Sequence, residues 1–515
     1  MTATLKQRPP ARRSAGTHVH DTLIIGAGFT GLGTAIKLRE AGVEDLVILE
    51  RADRVGGTWR DNNYPGAACD IPSLLYSYSF APNPKWSRAY SPSDEICRHI
   101  EELADRFDLR RHIRFDANVE GLVFDEAEGV WDIATSGGDA YRARTVVAAS
   151  GPLADASFPQ VRGIDTFTGQ KILSARWDHD YDLRGKRVAV IGTGASAIQI
   201  VPELVKVAES VKVFQRTPGW VMPRLDMATP KVAQAAFTKV PALQQAARTA
   251  LFLAHEVAAT GLVWDTPVTT LIQKIGLAHL RVSVKDPWLR RQLTPDFRAG
   301  CKRMLMSSDF YPALQRENCK LITWPIATIS PIGLRTSDGV EHDLDCIVFA
   351  TGYDVHLDGP PYPVTGLGGR TLREDWAGHA QAYKSASAHG YPNLFFTTGP
   401  NSGPGHNSLL VYVQGQIDYA VAGITTILKR DLRYLDVRAE VQERYNEHIQ
   451  KRLTRTTWMS GCSSWYLTAD GFNASMYPGF ATQYLRQMGT FRTRDYELVA
   501  NSTPTAGRIP RSMAG

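Results

Sequence analysis

Short apolar runs, each followed by a glycine turn and a stretch of helical periodicity, occur twice in this chain and set its organisation. In the first, Asp21 to Glu50, the run Leu23-Ile24-Ile25 predicts a buried parallel strand. Gly26, Gly28 and Gly31 follow in GxGxxG spacing, with Phe29 inside the turn. Leu32, Ala35, Ile36 and Leu38 then recur at helical spacing, and Gly42 stops the helix. A second apolar strand, Leu46 to Leu49, ends on Glu50 and Arg51. In the second unit Arg187 to Ile191 is the strand, and Gly192-Thr193-Gly194-Ala195-Ser196-Ala197 is the turn in GxGxxA form. Ile198 to Val207 reads as its helix, and Val211 to Phe214 as a strand ending in Gln215-Arg216-Thr217. Both are strand–helix–strand units of the dinucleotide-binding kind.

The remaining pattern fits around these units. Ser93 to Phe107 is an amphipathic helix, and 118–124 and 130–134 are strand-like. Thr145 to Ala149 is an apolar strand ended by Ser150-Gly151-Pro152; Val340 to Thr351 reads as one buried strand mirroring it. The pair is expected to mark two crossings between domains. Residues 225–295 read as a helical insertion able to roof a cavity, with Leu243–Val263 its clearest segment. Asn393 to Thr398 is a last strand, and a Gly-, Pro- and Asn-rich loop leads to a long helix from about Leu409. His406, in that loop, is read as a capping or loop histidine. The expected fold class is α/β, with two Rossmann-like dinucleotide-binding domains and a helical insertion. The first domain is drawn from 21–155 and 346–500, the second from 156–345, with tails at 1–20 and 501–515.

The glycines make a tight turn and let backbone approach a pyrophosphate, whose charge meets a helix N-terminus. The end of the second strand then separates the two units. Position 24 after the first glycine is Glu50 in one (50 − 26) and Arg216 in the other (216 − 192). A carboxylate there accepts hydrogen bonds from a ribose 2′-hydroxyl, whereas an arginine grips a 2′-phosphate at two points. The first unit therefore suits FAD and the second NADPH.

Composition narrows the class without changing this picture. The 515 residues are 43% hydrophobic and 21% charged, as in a globular protein of two or three domains. A net charge of +6 without a basic stripe gives no reason to expect nucleic acid. No run of 18 apolar residues predicts a membrane span. The six cysteines, at 69, 97, 301, 319, 346 and 462, include no CxxC pair. They are expected to be reduced thiols in a cytoplasmic setting, with no metal site and no dithiol reductase centre.

Gly56 to Asp70, GGTWRDNNYPGAACD, is too rich in Gly, Pro and Asn for an ordinary helix, and its small residues would admit a flat ligand. This stretch, the double glycine unit and the segment Phe167 to Asp178 between them resemble the class B flavoprotein monooxygenases. The closest likeness is to the type I Baeyer–Villiger monooxygenases, and it covers roughly residues 20 to 490. The family fingerprint Phe-x-Gly-x-x-x-His-x-x-x-Trp-Asp is matched at Phe167, Gly169, Trp177 and Asp178, but Leu173 stands where the family has histidine. His179 is the nearest histidine along the chain. Leucine cannot make a hydrogen bond, so coupling of NADPH binding to turnover is the property this departure touches. On that basis Leu173→His is expected to raise coupling or rate.

The resemblance implies that FAD, reduced by NADPH, reacts with O2 to a C4a-peroxyflavin that turns an apolar ketone into an ester or lactone. It assigns Lys302-Arg303, ahead of Phe310-Tyr311, as the cationic pair of the site, with Asp70 orienting Arg303. It places Gly57, Thr58, Trp59, Tyr76 and Val119 on the flavin, and Ala68, Cys69 and Asp70 near the nicotinamide. Thr193, Gly194, Ala195, Ser196, Ala197, Gln199, Arg216, Thr217 and Lys302 would hold NADPH. The 225–295, 353–390 and 458–480 stretches, including Cys462-x-Ser464-Trp465-Tyr466, are expected to wall the substrate cavity. Two alternatives use the same scaffold: oxygenation of sulfur or nitrogen, and a nucleotide-binding flavoprotein that oxidises NADPH without inserting oxygen.

Overall fold

The first βαβ unit is the axis of an eight-stranded sheet. The computed structural model describes residues 18–153, 155–353, 359–462 and 464–501, so most of the two expected tails and part of the 353–390 loops lie outside it. Strand β1, Val19–Ile25, pairs in parallel with β2, Leu46–Leu49, on one side and with Ala140–Ala148 on the other. Helix α1, Phe29–Glu40, connects β1 to β2 and buries Leu32, Ala35, Ile36 and Leu38. Beyond Ala140–Ala148 the sheet turns antiparallel through Val130–Thr135 and Val119–Asp125. Leu394–Phe396 lies alongside 146–148, so the late strand joins the sheet begun at residue 19. All four residues of β2 and the last four of β1 are buried, as covered parallel strands require.

The second unit centres a five-stranded, all-parallel sheet ordered Cys319–Ile322, Ser210–Phe214, Arg187–Ile191, Cys346–Phe349 and Gln170–Leu173. Here the chain corrects two expectations. The helix after the second glycine turn spans Ala197–Leu204, shorter than the 198–207 reading. The stretch 340–351 is two strands, Glu341–Asp343 in an antiparallel hairpin and Cys346–Phe349 in the sheet. Asp345 separates them because its carboxylate accepts from the Arg187 backbone N–H at 2.8 Å and from the Arg187 guanidinium. The insertion forms four helices, Lys231–Lys239, Pro241–Leu262, Pro267–Ser283 and Pro287–Leu293. It is thinly packed: Val232, Val257 and Val282 are exposed.

Candidate active site

The first glycine turn lies against the end of Ala140–Ala148. Gly26 has φ +110°, and a Cβ there would stand 2.6 Å from the Ala149 carbonyl oxygen. A Cβ on Gly31 would meet the Gly26 oxygen at 1.8 Å, so glycine is what lets α1 seat on the turn. Gly28 faces Gly57 across a gap that side chains would fill. Helix α1 starts with no side-chain cap and no acid in its first turn, which leaves its N–H groups for an anion. These residues open a cleft of about 330 Å³, lined also by Phe29, Arg51, Thr58, Trp59, Tyr76 and Val119. Trp59 Nε1 donates to the Tyr76 hydroxyl at 3.0 Å, fixing both rings.

Glu50 is 4% exposed and lines this cleft. It accepts from the backbone N–H of Ala27 at 2.8 Å and of Ala52 at 3.0 Å, and from Arg60 at 3.0 Å. Arg60, which the sequence did not mark, neutralises an acid that burial would otherwise penalise. Arg51 pairs with Asp155 at 2.8 Å. An uncapped helix start, a glycine cradle and a seated ribose-type acid together fit a dinucleotide such as FAD.

The second turn repeats the geometry with opposite charge. Gly192 has φ +115°, and a Cβ there would lie 2.5 Å from the Ala350 oxygen. Gly194 and Ala195 are exposed, Ser196 is half-buried, and buried Ala197 starts a helix without a side-chain cap. The Thr193 hydroxyl donates to the Thr217 carbonyl at 3.3 Å. Arg216 is exposed, and no carboxylate pairs with it among the described residues. Lys302 is near enough that, after burial, the Arg216 charge is the next cause lowering its pKa. Two adjacent cations fit a phosphate, with Asp296 offsetting part of the charge repulsion at Lys302.

Gln199 stitches the units together. Its Nε2 donates to the Ala68 carbonyl at 2.9 Å, and its Oε1 accepts from the Tyr64 hydroxyl at 2.9 Å. Cys69 is buried, which pushes its thiol pKa well up, and Asp70, next along the chain, is half-buried. Asp70 takes Arg303 in a fork: Nε donates to Oδ2 at 2.9 Å and Nη2 to Oδ1 at 2.7 Å. Asp70 raises the Arg303 pKa still further by its charge. Nη1 of Arg303 makes no hydrogen bond among the described residues, so one face of a fixed cation is left over. Phe310 and Tyr311 are buried in the core of the second sheet and anchor the chain after this pair. Tyr466 is buried beside Arg303, which brings the 458–480 stretch to the site.

Four further features correct or extend the sequence reading. His406 is not a helix cap: Ser408 caps the long helix Leu409–Lys429 by accepting from the Leu410 N–H. His406 Nε2 instead lies 3.0 Å from Glu256 Oε1, linking the insertion to the loop before that helix, while Nδ1 is buried without a partner. Burial disfavours ionisation of Glu256, but His406, the Thr482 hydroxyl and the N–H groups of Thr482 and Ala481 outweigh it and hold its pKa down at about 2. The cysteines are not all thiols: Cys301 and Cys462 form a disulfide, while Cys69, Cys97, Cys319 and Cys346 are free. Their separation of 161 residues hides the pair from any spacing rule. Leu173 is 7% exposed and packs with Phe167, Phe214 and Phe349, whereas His179 is exposed and so does not fill its place. Among the described residues one group, His18, His20 and Asp45, has metal-ligating atoms within 4.8 Å, at the start of β1 and already hydrogen-bonded to one another.

Comparison with known proteins agrees with this geometry. Residues 23–234, which hold both glycine units, match the family described as pyridine nucleotide-disulphide oxidoreductase. A Baeyer–Villiger monooxygenase of Pseudomonas aeruginosa is 40% identical over 94% of this chain and 92% of its own. An oxidised steroid monooxygenase solved with NADP superposes with a TM-score of 0.83 at 30% identity, over 94% of this chain and 100% of that one. Cyclohexanone monooxygenase from Rhodococcus sp. Phi1, bound to NADP+, gives 0.84 at 28% identity, over 94% and 99%. With relatives that span nearly the whole chain, the protein belongs to the Baeyer–Villiger monooxygenases, the FAD-containing, NADPH-dependent flavoprotein monooxygenases.

Proposed function

We propose that this enzyme converts an apolar ketone to an ester or lactone with NADPH and O2. The observation that carries the reading is the Asp70–Arg303 fork at the junction of the two clefts, with Arg303 Nη1 left over. FAD, seated by Gly26, Gly28, Phe29, Gly31, Glu50 and the 57–59 turn, supplies the redox chemistry and the activation of oxygen. Thr193 to Ala197, Arg216, Thr217 and Lys302 hold NADPH, the two cations sharing its 2′-phosphate. Trp59 and Tyr76 cover the flavin cleft, and Ala68 and Cys69 line its approach to the nicotinamide.

Arg303 then has one task. When an oxygen nucleophile adds to a ketone, negative charge gathers on the carbonyl oxygen, and a guanidinium fixed by Asp70 meets it without reorganising. At about 4 Å and an effective dielectric near 20 such a contact is worth roughly 4 kcal/mol before desolvation. The two-part flavin domain (21–155 and 346–500), the NADPH domain (156–345) and a cytoplasmic location, where NADPH is supplied, belong to the same reading. No helix among the described residues is long and apolar enough to cross a membrane.

Arg303→Ala tests it. Anaerobic reduction of the flavin by NADPH should keep its rate within a few-fold, while ester formation from a cyclic ketone falls about 100-fold or more. Ester yield unchanged in Arg303→Ala would remove the assignment. Sulfoxide from a thioether, with no ester from any ketone, would move the substrate class to sulfur.

A further inference from the structure

A covalent link stands beside the Asp70–Arg303 fork. Cys301, fully buried, lies two residues before Arg303 and is bonded to half-buried Cys462. The bridge joins the loop carrying Lys302 and Arg303 to the chain between Thr457 and Tyr466. Thr457 is anchored: its N–H donates to the Val263 carbonyl at 2.9 Å and its hydroxyl to that of Leu262 at 2.5 Å. Tyr466, at the other end, is buried beside Arg303. Between these anchors Met459, Ser460, Gly461 and Trp465 are exposed. Every hydrogen bond of the described residues in 459–465 is to a neighbour along the chain between Thr456 and Leu467, none to the Arg303 loop. The disulfide is therefore what fastens it to the Arg303 loop.

We propose that Cys301 and Cys462 form a reversible redox site that positions Arg303. Oxidised, the pair holds segment 459–465 against the loop and keeps the guanidinium registered on Asp70. Reduced, the segment is released, and NADPH oxidation runs on to hydrogen peroxide rather than ester. This rests on the role given above to Arg303. Reduction needs a dithiol: its thiolate attacks the accessible Cys462 sulfur, and Cys301 leaves as thiolate and takes up a proton. The second thiol resolves the mixed disulfide, so two cysteine thiols form and the dithiol departs as its own disulfide. Hydrogen peroxide, the product of NADPH oxidation without oxygen insertion, supplies the reverse: two thiols and one peroxide give the disulfide and two waters.

The holoenzyme is treated with a dithiol or with dilute peroxide and freed of reagent. Maleimide labelling after denaturation should count six thiols in the reduced protein and four in the oxidised one. Limited proteolysis should cut 459–465 faster in the reduced form. Peroxide formed per NADPH in the presence of ketone should rise about tenfold on reduction, within the hundredfold that a 1 Å misplacement can cost. Anaerobic flavin reduction should keep its rate. Cys462→Ser should behave as the reduced enzyme and resist rescue by peroxide, which restores the wild type; if that variant folds poorly, the reduced wild type carries the test alone. Six thiols persisting after peroxide treatment would overturn the proposal. So would a bridge that opens and closes without changing proteolysis or peroxide yield. If instead the reading of Arg303 is wrong, Arg303→Ala still makes ester, while thiol count and proteolysis continue to follow redox state.

Discussion

The two glycine units share a backbone and differ in how finished their sites are. In both, the first glycine has a positive φ, and a Cβ would strike the carbonyl of an alanine at the end of the neighbouring strand, Ala149 in one and Ala350 in the other. Beyond that turn they part. Glu50 is buried among three donors, one of them Arg60, so the first site is complete before any ligand arrives. Arg216 is exposed, with Lys302 as a like-charged neighbour, so the second is left open to solvent and ligand alike. A closed polar network loses little on binding and holds its ligand, whereas exposed charges are solvated and exchange it. The pattern matches a resident flavin and a nicotinamide nucleotide that comes and goes.

Substitutions at matched positions test that contrast. The largest effect is expected at Gly31→Ala, whose Cβ has only 1.8 Å to the Gly26 oxygen. Flavin content measured by absorbance should drop tenfold or more, an effect of about 1.4 kcal/mol at least. Glu50→Gln comes next, because it removes the charged bond from buried Arg60, which keeps Asp61 as its partner, a loss of about 1.5–3 kcal/mol. Flavin should be lost on gel filtration while affinity for NADPH is unchanged; loss of both would show that the two sites are not separate. Arg216→Ala removes charged hydrogen bonds worth about 1.5–3 kcal/mol. KM for NADPH should rise roughly 10- to 100-fold while KM for NADH barely moves, and an equal rise for both would take the 2′-phosphate from Arg216. The smallest change is expected at Ala197→Gly, the counterpart of Gly31 in the other unit. It should cost about 1 kcal/mol in thermal melting by helix propensity alone. A larger loss would mean that the buried Ala197 methyl packs as part of the site.

Much of the fold was legible because its signals are local. The 24-residue offset of Glu50 and Arg216 depends on one strand–turn–helix–strand at a time, and β2 and Arg187–Ile191 have the limits their apolar runs suggest. The stretch 340–351 was misread because its apolar run does not show that Asp345 is held by Arg187 in another strand. Leu173 was legible as a departure from the family pattern but not as a buried side chain among Phe167, Phe214 and Phe349. That burial changes the expectation for Leu173→His, which would place a polar ring in an apolar cluster at a cost of about 1–3 kcal/mol. Melting temperature and coupling measured together distinguish that cost from any gain.

Asp70 and Arg303 could be named from the sequence only through resemblance, since 233 residues separate them. Glu256 and His406, 150 apart, and Cys301 and Cys462, 161 apart, carried no sequence signal at all. The sequence by itself determined two nucleotide-binding turns and the sign of charge at the end of each, because turn geometry and helix starts follow from residues within a few positions of one another. Only the tertiary structure decided what joins those turns into one site. Gln199 to Ala68, Arg303 to Asp70 and Cys301 to Cys462 are contacts made when two sheets and an insertion pack, and nothing in local spacing specifies them.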